Sequence, residues 1–279
     1  MLIQTKSLLT MLAVAGMTLF ASRASATTYV AGDLLLGFRA SGGTGSATNL
    51  IVNLGQADTV YRDALANVAS VVDIGTLLTS TYGAGWDTRS DLFWGIVGVR
   101  TASGVSGAVD GDPTRTNYLS AAQTTVNPGT QSSTAWDLSA AGQIRTDVAN
   151  AIIGLAGNYD AFSTAVTNTA LLPAGTGSTW SSNNSGSSSF TLAGTVEGNF
   201  GAGASGTALD LYRVLDRTSG ANPTGTVGIG SYEGTFTISN AGVVGFAVTA
   251  VPEPSRALLA GLGLAGIAFR RRRTVKKTA

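Results

Sequence analysis

Two apolar runs near the start of the chain, Asp33 to Ala40 (DLLLGFRA) and Asn49 to Leu54 (NLIVNL), are separated by Ser41-Gly-Gly-Thr-Gly-Ser46. Short apolar runs joined by turn-forming residues predict a hairpin with a longer loop. Asp91 to Arg100 (DLFWGIVGVR), Ser189 to Glu197 and Leu209 to Leu215 (LDLYRVL) read as further strands. The clearest alternation comes last. Phe236 and Ile238 share one face of Gly234 to Ser239, Asn240-Ala-Gly242 supplies a turn, and Val244, Phe246 and Val248 alternate on the return.

Two stretches switch to helical spacing. Ile144, Val148, Ile152 and Leu155 recur on one face, with Ser139 placed to cap the start and Gly157 to end the helix. A weaker stripe of Leu65, Val68 and Val72 continues after Gly75 with Leu77 and Leu78 and breaks at Gly83 to Gly85. Pro173 to Ser189 and Thr218 to Gly230 are rich in small polar residues and read as loops. The pattern predicts a mainly β single domain with helices, β-sandwich-like, over residues 27–249, with no internal repeat of fixed period.

The two ends follow a different plan. Residues 1–26 have the parts of a secretory signal peptide: Lys6, an apolar run from Leu8 to Phe20, and Ala24-Ser25-Ala26 as a signal peptidase cleavage site. The competing reading, a buried N-terminal core helix, leaves that triplet to chance. In residues 250–279, Pro252-Glu253-Pro254 precedes an apolar stretch, Ala257 to Phe269, and a basic cluster over 270–277 led by Arg270, Arg271, Arg272 and Arg273. As a helix the stretch covers about 20 Å, short of a hydrocarbon core of roughly 30 Å. The arginine block decides for a short transmembrane helix with a stop-transfer signal and a cytoplasmic tail.

Charge sharpens the division. The chain has a formal net charge of +1, but all three lysines lie in its terminal segments. Between Thr27 and Val251, eight arginines face fifteen carboxylates, a balance of −7. With no histidine and no cysteine, Ser-His-Asp and Cys-His centres, zinc fingers, thiolate-held clusters and disulfides are excluded. A lysine-free acidic body has neither a P-loop lysine nor the basic patch of a nucleic-acid binder.

The order Pro252-Glu253-Pro254, short Gly/Ala/Leu-rich helix and terminal arginine cluster resembles the PEP-CTERM sorting domain of exported proteins in Gram-negative bacteria. The resemblance implies recognition by an exosortase, a membrane-embedded transpeptidase-like enzyme that cuts near the Pro-Glu-Pro motif and whose genes accompany exopolysaccharide production. Two prolines keep the segment extended and non-helical, as a protease needs. The body is similar to a loose group of PEP-CTERM proteins with a GDLLLGFR-type opening, here Gly32 to Arg39. Their later YGxxW…RSDLFWGxVG-type segment is Tyr82 to Gly98 here, with Trp86, Arg89, Asp91 and Trp94 in place. That likeness implies fold and localisation, and no activity.

Candidate chemistry in the body is sparse. Glu197 and Glu233 are its only glutamates, and a glycosidase needs a carboxyl pair, but both fall at strand edges beside glycine, where a solvated polar face is the default. Asp110-Gly-Asp112-Pro resembles the start of a calcium loop without its remaining ligands, and an ordinary turn explains it better. Thr27 would be the mature N-terminus, a position that can supply its own amine as base, although any small residue after a signal peptide shares that feature. Of the tryptophans, Trp94 reads as core, Trp86 and Trp136 as ambiguous. Trp180, in a Gly/Ser loop, is the best candidate for an exposed glycan contact.

The expectation is an exported, non-enzymatic protein without cofactor or metal. It is held transiently in the inner membrane, processed by signal peptidase and exosortase, and delivered to the cell surface or an exopolysaccharide matrix in a structural or adhesive role. The alternative is a carbohydrate-binding or carbohydrate-active module acting on matrix polysaccharide.

Overall fold

Leu34, Leu35 and Leu36 are all fully buried, so both faces of the first strand are covered. A computed structural model describes residues 28–100, 112–139, 142–164, 167–175, 177–184, 196–216 and 225–249. In chain order the elements are β1 (Asp33–Ala40), β2 (Thr48–Gln56), α1 (Ala57–Val60), β3 (Val68–Asp73), α2 (Gly75–Tyr82), β4 (Leu92–Val99), β5 (Asn117–Ala122) and α3 (Gly142–Phe162). They continue with β6 (Ser163–Thr164), β7 (Thr167–Pro173), α4 (Trp180–Asn184), β8 (Glu197–Asn199), β9 (Ala208–Val214), β10 (Gly230–Ile238) and β11 (Val243–Ala247).

The strands form one sheet in the order β3-β11-β10-β9-β5-β4-β1-β2-β7-β6, with β8 added beside β4. Their pairings are antiparallel. Strict alternation sorts each strand's residues onto two faces. Leu34, Leu36, Phe38, Leu50, Val52, Trp94, Ile96, Leu209, Leu211, Phe236 and Phe246 belong to one core. Strands from distant positions in the order share that core, so the sheet curls around it. Tyr61, just after α1, bridges the curl: its ring meets Phe236 and Phe246 at centroid distances of 5.1 Å each, and its hydroxyl donates to the Leu54 carbonyl.

The other face carries a second core. Leu35, Ile51, Val97, Val99, Leu119 and Leu172 pack under Val148, Ile152, Leu155 and Tyr159 of α3 and under Trp180. The expected β-sandwich is therefore replaced by a single curled sheet with helical cover on its convex face. Double-sided burial of strands signals a second layer, and that layer is α3 and α4 rather than another sheet.

The β1–β2 and β10–β11 hairpins form as expected, the latter with Phe236 opposite Phe246 and Ile238 opposite Val244. The Leu65–Val68–Val72 stripe is not helical. Val68–Asp73 is an edge strand against β11, and Leu65 is exposed. Valines 68, 71 and 72 favour the pleated conformation, and pairing with β11 gives them a partner. Helix α3 begins at Gly142 and runs through Gly157 to Phe162, leaving Ser139 outside it. Val148, Ile152 and Leu155 are buried as expected, whereas Ile144 is exposed. The stretch read as a loop from Pro173 contains α4 and begins on the last residue of β7.

Candidate functional site

Gly37 of β1 and Gly95 of β4 face each other across the sheet. Together they leave a flat, side-chain-free platform on the convex face, and the Trp180 indole lies on it. A Cβ placed on Gly37 would come within 2.0 Å of Trp180 Cε3, and one on Gly95 within 3.0 Å of its Cζ2 and 2.7 Å of the Val196 carbonyl oxygen. Trp180 is wholly buried. The expectation that Trp180 offers an exposed glycan contact is thus wrong. The Gly/Ser surroundings that suggested exposure form a short helix that delivers the ring into the platform.

The indole N–H donates to Glu197 Oε1 at 2.7 Å, and Arg39 closes the other side, with Nε at 2.9 and 3.1 Å from the two carboxylate oxygens and Nη2 at 2.6 Å from Oε2. Arg39 also stacks over the Phe93 ring, 4.5 Å from its centroid. Glu197 is accordingly no solvated strand edge. Burial raises its pKa, while Arg39 and the indole N–H pull it back down.

The residues that carry the body's resemblance act as staples. The Tyr82 hydroxyl donates to the Phe38 carbonyl and accepts from the Leu50 N–H. Arg89 donates to the carbonyls of Gly42, Thr44 and Tyr82 and pairs with Asp91 at 2.7 Å, fixing the β1–β2 loop. The Trp94 N–H donates to the Gly206 carbonyl, and Trp86 meets Phe200 edge-on at 5.2 Å.

Two further polar clusters were not foreseen. On the concave side Asp112, fully buried, accepts from Arg213 Nε at 2.7 Å, pairs with Arg62 at 3.0 Å and accepts from the Tyr118 hydroxyl. This engagement leaves Asp112 in an ion-pair network rather than a calcium loop; Asp110 lies outside the described residues. Beside it, a bulge between Tyr232 and Gly234 displaces Glu233 from the ladder, and its Oε2 accepts the Asp63 N–H at 3.2 Å. Burial pushes the Glu233 carboxyl up to about 7; the Asp63 N–H and Arg213 oppose, and the Asp63 and Asp112 charges reinforce. On the convex side Asp210 accepts from Gln123, Thr235 and Ser133. Glu197 and Glu233 share no partner, and β5 and β9 separate β4, beside Glu197, from β10. The structure does not bring them together as a catalytic pair.

The chain leaves the sheet at a clasped point. The Val248 N–H donates to Asn67 Oδ1 at 2.9 Å, and the turn at Gly129, φ +84°, approaches so closely that a Cβ there would be 2.6 Å from the Val248 carbonyl oxygen. From Thr249, three Cα steps of 3.8 Å reach Pro252, at most about 11 Å. The family model of the PEP-CTERM protein-sorting motif matches residues 250–273, directly after this exit. The chain carries a PEP-CTERM sorting motif. It is the signal of an exported protein with an exosortase as processing partner, and the match covers Pro252, Glu253, Pro254 and Arg270 to Arg273. No curated protein and no solved structure matches the chain. The sorting residues, the expected membrane helix at 257–269, the signal cleavage residues Ala24 and Ala26, and Thr27 lie outside the described residues. Among the described residues, no helix is long and apolar enough to cross a membrane.

Proposed function

We propose that this PEP-CTERM protein is cut by signal peptidase after Ala26, held transiently in the inner membrane by residues 257–269, and cut by an exosortase near Pro252 to Pro254. It then resides at the cell surface or in an exopolysaccharide matrix as a structural or adhesive component without catalysis. The observation that carries this reading is the sorting motif set immediately after the last strand, with the charge stop at its end. The separation of Glu197 from Glu233, each engaged in its own cluster, supports a non-enzymatic body. Fractionation of cells expressing the full chain tests the sorting step. Glu253→Ala, or deletion of Arg270 to Arg273, should leave unprocessed or mislocalised protein, and normal release after both changes would overturn the reading.

The carbohydrate-binding alternative has lost Trp180. What still favours it is a groove beside Trp136.

A further inference from the structure

The sheet forks at β4. Its last pairs with β5 run from Val97–Leu119 to Val99–Asn117, while at Gly95 its partner on that side is Glu197 of β8. Ser120 holds the crotch of the fork: its Oγ donates to the Val196 carbonyl at 2.6 Å and accepts the Ile96 N–H at 2.8 Å. Beyond Ser120, β5 stays paired with β9 through Ala122 but has lost β4. The splayed strands leave an open groove of about 440 Å³, lined by Ala121, Thr124, Thr134, Trp136, Asp137 and, from the buried Arg39–Trp180 cluster, Glu197.

The groove opens to solvent, unlike the buried cluster whose Glu197 reaches its wall. Trp136 is half-buried: its ring packs against the second core, its indole N–H is fixed on the Ser120 carbonyl at 3.1 Å, and the part left open lines the groove. Thr124, Thr134 and Asp137 are exposed around it. An oriented aromatic surface, the Ala121 methyl and a rim of threonine hydroxyls with the Asp137 and Glu197 carboxylates suit a pyranose ring, which has apolar C–H faces and hydroxyl edges. Among the described residues the rim has no cationic side chain, two carboxylates line the groove and the body's balance is −7, so an anionic sugar is disfavoured. An extended peptide is disfavoured as well, because only the short stretch of β5 beyond the fork is freed for strand pairing.

We infer that the groove at the β4 fork, with Trp136 as its aromatic contact, binds a neutral hexose or pentose unit of a polysaccharide. This names a ligand class for the adhesive role proposed above and rests on the body lying outside the cell. The two readings fail separately, since sorting is read by fractionation and this site by binding.

The test uses the full chain in detergent. It is titrated by calorimetry with cellohexaose, xylohexaose, maltohexaose and laminarihexaose, with hexagalacturonate and an extended hexapeptide as comparisons. At least one neutral oligosaccharide should bind with a sub-millimolar constant. Thr134→Arg, an exposed change that crowds the rim, should weaken it about tenfold or more while the circular dichroism spectrum stays unchanged. Trp136→Phe keeps an aromatic face and should retain weaker binding, whereas Trp136→Ala should abolish it. Absence of binding to all four neutral sugars, binding indifferent to Thr134→Arg, or preference for hexagalacturonate or the peptide would each overturn the assignment.

Discussion

Placing a methyl group on Gly37 isolates the platform under Trp180. Gly37 lies in a strand, and its backbone is open to any residue. The change Gly37→Ala is therefore purely steric: the new Cβ would lie 2.0 and 2.1 Å from Trp180 Cε3 and Cδ2. No rotation of a flexible tip relieves that contact, because the atoms belong to the rigid indole. The ring must lift, losing its packing and its 2.7 Å bond to Glu197. Displacing a buried tryptophan forfeits most of the 3 to 5 kcal/mol typical of its truncation, so Gly37→Ala should destabilise the body by roughly 3 kcal/mol. Trp180→Ala should lose a similar amount. In the Trp180→Ala background the clash is gone, and alanine is about 0.5 to 1 kcal/mol better than glycine in a strand. There Gly37→Ala should be neutral or stabilising, a reversal of sign. Urea unfolding of residues 27–249 in a double-mutant cycle measures the coupling, expected at about 3 kcal/mol. Additive losses in the double variant would refute the platform.

Other perturbations probe the charged interior. With the Glu233 carboxyl at about 7 in the fold against an ordinary 4.5, the folded state binds the proton more tightly than the unfolded chain. Stability should rise as pH falls from about 8 to 4.5, by roughly 2 kcal/mol once partial exposure is allowed for, and Glu233→Gln should remove this rise in urea midpoints across that range. Asp112→Ala strips the buried partner of Arg62 and Arg213 and should cost about 3 to 5 kcal/mol in the same assay. Arg89→Ala removes the donor to two carbonyls of the β1–β2 loop, Gly42 and Thr44, and should increase amide exchange at Gly42 to Thr44, with a smaller loss of global stability than Asp112→Ala.

Hairpins were legible because alternation and turn chemistry are local. The pairing of Phe236 with Phe246 follows from a short turn between two strands of period two. Edge strand β3 was not legible, since Leu65, Val68 and Val72 match helical spacing and only the tertiary partner β11 selects the extended form. Trp180 was misplaced for a related reason. Its neighbours in sequence are serines and asparagines, while its neighbours in space are Gly37, Gly95 and Glu197, contributed from three distant strands. One signal was available: Arg39 inside an otherwise apolar strand requires a buried carboxylate, and only two glutamates and thirteen aspartates of the body could supply it. Similarly, glycines in the middle of DLLLGFRA and DLFWGIVG mark places where another group approaches the backbone.

The disposition of charge ties the body's chemistry to its destination. Arg39, Arg62, Arg89, Arg145 and Arg213 are each engaged in ion pairs within the fold, and among the described residues no arginine is fully exposed. Asp63, Asp73, Asp137 and Asp160 are exposed. These five arginines thus hold the interior together, and the exposed charged side chains among the described residues are acidic. Such a surface repels anionic lipid headgroups and offers acceptors to neutral polyols. All lysines and the arginine block lie in the segments that processing at both ends would remove. The released body would therefore lose its only strong affinity for the membrane in the same step that frees it from the anchor. Retention near the cell would then depend on what its neutral and acidic surface binds.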